Sequence, residues 1–308
     1  MKKVLVITGP TASGKTAVSI KLAKKVGGEI INADSMQIYS GCDIGSAKPS
    51  LMERQNITHH LIDIVKPTNK FSTAEYKTSA LKCIRDILSR GKMPVITGGT
   101  GLYIDSLVKN IDFSVDKGNE NLRRDLNSLL DRNGKDYLHE KLRMRDSEAA
   151  FTVHPNNTRR VIRYLEILEG FNGTLSEYRE NTLNKPSEFD YRIFVLWPEK
   201  DFVYNHIEKR VDEMLEAGLV TEIRNLLNTG VKADDQCMMG IGYKETYAYI
   251  DGQINYKDYV DLLKRNTRRY AKRQFTWFKR YKDAQFILID SKSDINKIAD
   301  NILKEALL

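Results

Sequence analysis

The sequence predicts an α/β fold whose core is a parallel sheet, interrupted by a mostly helical insertion. Three observations predict it. Residues 9–16 read GPTASGKT and fit the phosphate-loop pattern GxxxxGK[ST]. Short apolar runs alternate with helical patterns before and after that point, as in a parallel sheet with crossover helices. Between about Phe113 and Glu188 the strand pattern disappears and charge becomes dense. Together they predict a P-loop NTPase-like sheet core over 1–112 and 189–308, and a helical insertion domain over 113–188.

The loop has the flanks its chemistry needs. Lys2 to Thr8 (KKVLVIT) reads as a buried strand, and Ala17 to Val26 as a helix with Val18, Ile20, Leu22 and Ala23 apolar. A glycine loop between strand and helix points unpaired backbone N–H groups at an anion, and the helix dipole favours negative charge there. Lys15 adds a point charge and the Thr16 hydroxyl is a Mg²⁺ ligand. A di- or triphosphate is implied, but no reaction.

The remaining elements follow in order. Glu29 to Asp34 (EIINAD) reads as a second strand ending in a carboxylate, on the same sheet rim as the loop. Asp34 there is either a site residue or an ordinary turn or cap aspartate, and local pattern leaves both open. Thr58 to Val65 reads as extended, with His59 and His60 structural because an adjacent pair lacks metal-ligand spacing. Ser72 and Glu75 form a capping box that opens a helix ending near Arg90, with Gly91 as its stop. Met93 to Thr97 is a strand leading into Gly98-Gly99-Thr100-Gly101, where glycines allow close backbone approach to a ligand and Thr100 presents a hydroxyl. No aspartate ends that strand, although a phosphoryl-transferring phosphate-loop enzyme would be expected to offer a second acid for Mg²⁺.

Within the insertion, 121–130, 136–144 and 157–168 read as helices, with Arg159, Arg160 and Arg163 clustered near the start of the last. Tyr191 to Leu196 returns to a strand, 202–217 is helical and carries Arg210, and Gly240-Ile241-Gly242-Tyr243-Lys244-Glu245 opens another helix. Gln285 to Asp290 is a last strand and Asp294 begins a last helix.

Composition narrows the class. The 308 residues are 41% hydrophobic and 29% charged, ordinary for a globular protein. No apolar run approaches the roughly 20 residues that span a bilayer, and Met1-Lys2-Lys3 enters the first strand without a signal-peptide pattern. Cys42, Cys83 and Cys237 are odd in number and scattered, which argues against a disulfide framework or zinc site and for a reducing, cytoplasmic setting. Net charge is +8. Lys264 to Lys282 holds nine basic residues and no acidic one, interleaved with Tyr270, Phe275, Trp277, Phe278 and Tyr281. That is the footprint of a nucleic-acid face. The aromatics are expected partly in the core, with Tyr270 and Trp277 anchoring the helix.

Read together, the segments GPTASGKT (9–16), DSMQIYSGCDIGSAKP (34–49), HHLID (59–63), GGTGLY (98–103), HPNNTRRVIRYLEI (154–167), GIGYKE (240–245) and TRRYAKRQFTWFKR (267–280) resemble the tRNA dimethylallyltransferases of bacterial type. They span nearly the whole chain in that family's order. Ser46 and Glu75 depart from its commoner threonine and aspartate. The resemblance implies transfer of a dimethylallyl group from dimethylallyl diphosphate to the exocyclic N6 amine of the adenosine 3′ to the tRNA anticodon. It implies Asp34 as general base and Thr100 as the residue that steadies the reacting centre, with Lys15 also catalytic. Gly9, Pro10, Thr11, Ala12, Ser13, Gly14, Lys15, Thr16 and Arg210 would hold the diphosphate, with Mg²⁺ on Thr16. Asp34, Ser35, Met36 and Gln37 would meet the flipped adenosine, and Thr100 would also belong to the tRNA-binding set. Arg123, Arg159, Arg160, Arg163, Met239, Gly240, Ile241, Gly242, Tyr243, Lys244, Lys272, Arg273, Gln274, Trp277 and Lys279 would meet the tRNA. Partners are then tRNA through its anticodon stem-loop and dimethylallyl diphosphate, with no membrane and a monomeric chain.

The chemistry of the residues agrees with this implication. A base must leave its stack to react, pyrophosphate must be stabilised as it departs, and the amine must lose a proton. Without γ-phosphoryl transfer, the missing second acid is less surprising. A small-molecule kinase would instead consume ATP. An adenylate isopentenyltransferase has no use for the basic helix or the insertion. An RNA-binding nucleotide switch has no use for Asp34 and Thr100 beside the loop.

Overall fold

A computed structural model describes residues 1–113, 120–183 and 186–307. Backbone contacts divide the chain into two units: Met1–Ile104 with Glu188–Leu308, and Asp105–Ser187.

The first unit is built on six strands, all paired in parallel. They are β1 (Lys3–Thr8), β2 (Glu29–Asn32), β3 (His59–His60), β4 (Pro94–Gly98), β5 (Asp190–Pro198) and β6 (Gln285–Ile289), in the order β3-β2-β4-β1-β5-β6. Val4, Leu5, Val6 and Ile7 are buried, as are Ile30 and Ile31, because a parallel sheet is covered on both faces. The register sets Thr8 opposite Gly98 and Asn32 opposite Thr97. The carboxyl ends of β1, β2 and β4 therefore share one rim. Helix α1 (Lys15–Lys25) packs on β4, and α2 (Thr73–Ser89) has the expected reciprocal cap between Ser72 and Glu75.

The expected extended segment over Thr58 to Val65 contributes only the two residues of β3, plus one bridge between Tyr39 and Val65. Leu61 and Asp63 adopt left-handed backbone angles, which break a strand.

Helix α3 (Gly101–Val108) leads from the first unit into the second. There, α4 (Glu120–Arg145), α5 (Ser147–Phe151), α6 (Thr158–Gly170) and α7 (Leu175–Leu183) surround Leu138, Leu142, Val161, Leu165 and Leu168. The helical run of α4 is broken at Gly134, with φ 80° and ψ 172°, so the two helices expected over 121–130 and 136–144 are separated there.

The chain returns through β5 to α8 (Lys200–Glu216), α9 (Leu219–Asn228), a 3₁₀ turn at Gln236–Met239, α10 (Tyr243–Ile250) and α11 (Tyr256–Phe278), and ends, after β6, in α12 (Ile295–Leu307), which packs against α1.

Glu29 opens β2 at the end away from the shared rim, and its carboxylate is almost fully buried. Arg90 donates to both oxygens at 2.6 and 2.7 Å, Lys92 donates at 2.7 Å and His60 Nε2 lies 2.7 Å away. The Arg90 guanidinium, with Lys92 and His60, holds this carboxyl well below its ordinary 4.5 despite burial. Its stabilisation is present above 4.5 and lost as pH falls toward the folded-state value. Glu29→Gln should lower the melting temperature by about 2–6 °C at pH 7. In melts run across pH, the gap to wild type should shrink below about pH 4.5. A gap that does not change with pH would dismiss the ionic origin.

Candidate active site

The rim of the first unit opens into a cleft of about 1070 Å³ lined by Thr11 to Thr16, Asp34 to Gln37, Arg210, Met239 to Gly242, Tyr270 and Arg273. Its floor is the phosphate loop. Gly14 takes a left-handed conformation (φ 80°) immediately before α1, and its carbonyl accepts the first helical bond from Val18. Thr16 is exposed on the first turn. Ser13 is buried, and its hydroxyl has no partner within the protein.

Lys15 reaches back across the loop and donates to the Pro10 carbonyl at 2.6 Å. Burial pushes its ammonium down to about 7, the like charge of Arg210 adds to the effect, and Asp34 opposes it. Arg210 is lowered by burial as well, and again Asp34 is the largest opposing influence. On the face of a helix, Arg210 would ordinarily form an exposed ion pair with Asp212 or Glu213. Instead Asp212 pairs with Lys264 at 2.7 Å and Glu213 with Lys209 at 3.7 Å, while Arg210 lines the cleft. Two cations thus stand in a partly desolvated cleft, where an anion gains more from each than it would in water.

Asp34 follows the end of β2. Its Oδ1 accepts from Met36 N at 2.9 Å, so it does form the local turn that an ordinary aspartate would. It also lines the cleft. The turn bond engages Oδ1 and does not exclude a site role, because one carboxylate has two oxygens. Asn32 braces the turn, accepting from Asp34 N and donating to the Asp34 and Leu61 carbonyls at 3.1 Å each. Thr100 is half-buried beside this wall. Its hydroxyl accepts from Ser35 N at 2.9 Å and lies 3.2 Å from Ser35 Oγ, while its own N–H donates to the Ala33 carbonyl at 3.1 Å.

Gly98 and Gly99 line the cleft, and they also answer to a close approach within the protein. A Cβ on Gly98 would lie 2.2 Å from the Ala33 carbonyl, and one on Gly99 would lie 2.5 Å from Gln274 Nε2. Missing side chains here let protein backbone meet protein.

The expected tRNA contacts divide by position. Gln37 Nε2 donates to the Ser46 and Ala47 carbonyls at 3.2 Å. Met239, Gly240, Ile241 and Gly242 line the cleft, Tyr243 is fully buried with its hydroxyl on Glu222 at 2.8 Å, and Lys244 is exposed. On α11, Lys272, Arg273 and Lys279 are exposed, Trp277 is half-buried beneath the Arg280 guanidinium at 4.3 Å, and Gln274 is buried. In the helical unit, Arg159 and Arg160 are exposed, whereas Arg123 and Arg163 both donate to Glu166.

Sequence reasoning assigned Tyr270 to the core, but it lines the cleft with Asp34 among the charges acting on its phenol. Glu222 went unnoticed. Its carboxylate accepts from Asp43 N, Ile44 N and Gly45 N at 2.9, 2.6 and 3.1 Å, shaping the wall beyond Gln37. The only signal was a single glutamate on an unassigned helix.

A family model described as IPP transferase matches residues 37–281. The chain belongs to the IPP transferase family. It is 45% identical to a tRNA dimethylallyltransferase of Clostridioides difficile, over 98% of this chain and 97% of that one. A protein of the same name from Acetivibrio thermocellus is 44% identical over 98% and 96%. Among solved structures, a tRNA isopentenylpyrophosphate transferase from Bacillus halodurans superposes with a TM-score of 0.74 at 39% identity, covering 100% of this chain and 97% of that one. A eukaryotic dimethylallyltransferase described as acting on tRNA gives 0.83 at 30% identity, covering 100% and 78%.

Proposed function

We propose that this chain transfers a dimethylallyl group from dimethylallyl diphosphate to N6 of the adenosine 3′-adjacent to the anticodon of tRNA, with release of diphosphate. The observation that carries the reading is one cleft in which Asp34 stands near Lys15 and Arg210 above a phosphate loop, in a member of this family.

In this reading the loop amides, Lys15 and Arg210 hold the diphosphate, and the adenine enters against Asp34 to Gln37 out of its stack. The N6 lone pair forms a bond to the allylic C1 as the C1–O bond breaks, and its electron pair leaves with the diphosphate. Lys15 and Arg210 meet that growing charge in place of water. Asp34 takes the proton that N6 sheds. Thr100 acts through Ser35, fixing the backbone beside the base.

Among the described residues no group of three or more His, Cys, Asp or Glu could hold a metal ion. A hydroxyl such as that of Thr16, joined by diphosphate oxygens, suits Mg²⁺, which keeps most of its waters and uses few protein ligands. When bound, the ion supplies further positive charge to the leaving group. Exposed Lys272, Arg273 and Lys279 on α11, with Arg159 and Arg160 on α6, are the cations we assign to tRNA phosphates. Among the described residues no helix is long and apolar enough to cross a membrane. We place the chain in the cytoplasm as a monomer.

Undermodified tRNA incubated with the protein, dimethylallyl diphosphate and Mg²⁺ should yield N6-dimethylallyladenosine on nucleoside mass analysis. Modification of AMP and not tRNA would favour the adenylate enzyme. Product formation coupled to ATP hydrolysis would favour a kinase.

A further inference from the structure

We propose that Gln274 is a positioning residue of the diphosphate site, holding the Pro10–Thr11 peptide on which Lys15 rests. The proposal depends on the diphosphate reading above, and it assigns Gln274 a task other than contact with tRNA.

Helix α11 buries a stripe that includes Tyr259, Leu263, Ala271 and Phe278, and Gln274 lies within it, 5% exposed. An amide in such a stripe is costly unless both of its ends are bonded. Both are: Oε1 accepts from Thr11 N at 2.8 Å, and Nε2 donates to the Gly99 carbonyl at 2.9 Å. Gly99 lacks the Cβ that would stand 2.5 Å from that nitrogen, so the turn after β4 leaves room for the amide. One side chain therefore ties together the β1–α1 loop, the β4–α3 turn and α11.

The contact with Thr11 has a specific consequence. The Thr11 N–H and the Pro10 carbonyl are two ends of one planar peptide unit. Gln274 holds the N–H end, and Lys15 Nζ donates to the carbonyl end at 2.6 Å. Rotation of that plane would move the oxygen on which Lys15 rests. Gln274 also lines the cleft, but its amide is engaged by Thr11 and Gly99, so it fixes the starting position of Lys15 through the loop backbone and withdraws one loop N–H from the anion site.

The test uses Gln274→Met, close in length but without the amide, and Gln274→Asn, too short by one methylene to bond both partners. Melting temperature, tRNA Kd, and kcat and KM for dimethylallyl diphosphate at saturating tRNA are measured for each and for wild type. The expected result is a KM for dimethylallyl diphosphate raised about tenfold in Gln274→Met, with the same direction in Gln274→Asn and tRNA Kd within about twofold of wild type. Weakened tRNA binding with unchanged KM would restore Gln274 to the tRNA contacts and overturn the proposal. Wild-type KM in folded variants, or failure of both variants to fold, overturns it too. A wild type that shows no saturable dependence on dimethylallyl diphosphate defeats the functional reading, and this proposal with it. Saturable wild type matched by its variants defeats this proposal alone.

Discussion

Asp34→Asn is expected to slow prenyl transfer by about 10²–10⁴, the usual contribution of a positioned base. Asparagine keeps a side-chain oxygen that can accept from Met36 N, as Oδ1 of Asp34 does at 2.9 Å. The turn, the melting temperature and the tRNA Kd should therefore stay near wild type. The measurement is single-turnover rate with saturating tRNA and dimethylallyl diphosphate, beside a thermal melt. A full rate in the variant would remove Asp34 from the chemistry. An unfolded variant would mean that the turn is all the residue provides.

Lys15→Ala is expected to lower kcat by about 10²–10³, as for loss of one preorganised group facing a developing charge. A pH dependence should disappear with it. Burial, then the Arg210 charge, pull the Lys15 ammonium to about 7 in the free protein. A bound diphosphate raises it again, because it brings negative charge. Below about pH 7 the ammonium is already present and its contribution to affinity is constant. Above that, binding must recruit a proton, and Kd should worsen by up to about tenfold per pH unit until the bound-state value is reached. Titration of dimethylallyl diphosphate binding from pH 6 to 9 checks this, with Lys15→Ala subtracting the ligand's own ionisation. Parallel pH profiles for the two proteins would mean that Lys15 stays charged throughout.

Local signals made much of this legible in advance. The phosphate loop lies between β1 and α1, and the Ser72–Glu75 capping box does open α2. Both are readable because their physics lies within a few residues of chain. Asp34 and Thr100 could be placed on one rim because parallel strands align their carboxyl ends. What escaped was mostly long-range. Nothing near Glu222 in sequence points to the amides of Asp43, Ile44 and Gly45. Nothing around Gln274 names Thr11 as its partner. Helix α9 escaped for a different reason: Gly218 (φ 97°) separates it sharply from α8, so the apolar series Leu219, Ile223 and Leu226 starts immediately after the residues that close the preceding helix. The glycine turn before Thr100 was found, but its tightness answers to Ala33 and Gln274, which only folding brings near.

The wall from Gln37 to Pro49 contains no helix and no strand beyond the single bridge at Tyr39. Glu222 nevertheless gathers three of its amides, and Lys48, whose side chain is 4% exposed, donates to the Tyr39 carbonyl and to both Asp43 and Asp63. An irregular segment pinned so often has already surrendered its conformational entropy during folding. On the proposed function, a base arriving in the cleft meets a mould that has set. The heat capacity change on binding should then scale with the surface the base covers, without the excess that accompanies a loop freezing around its guest.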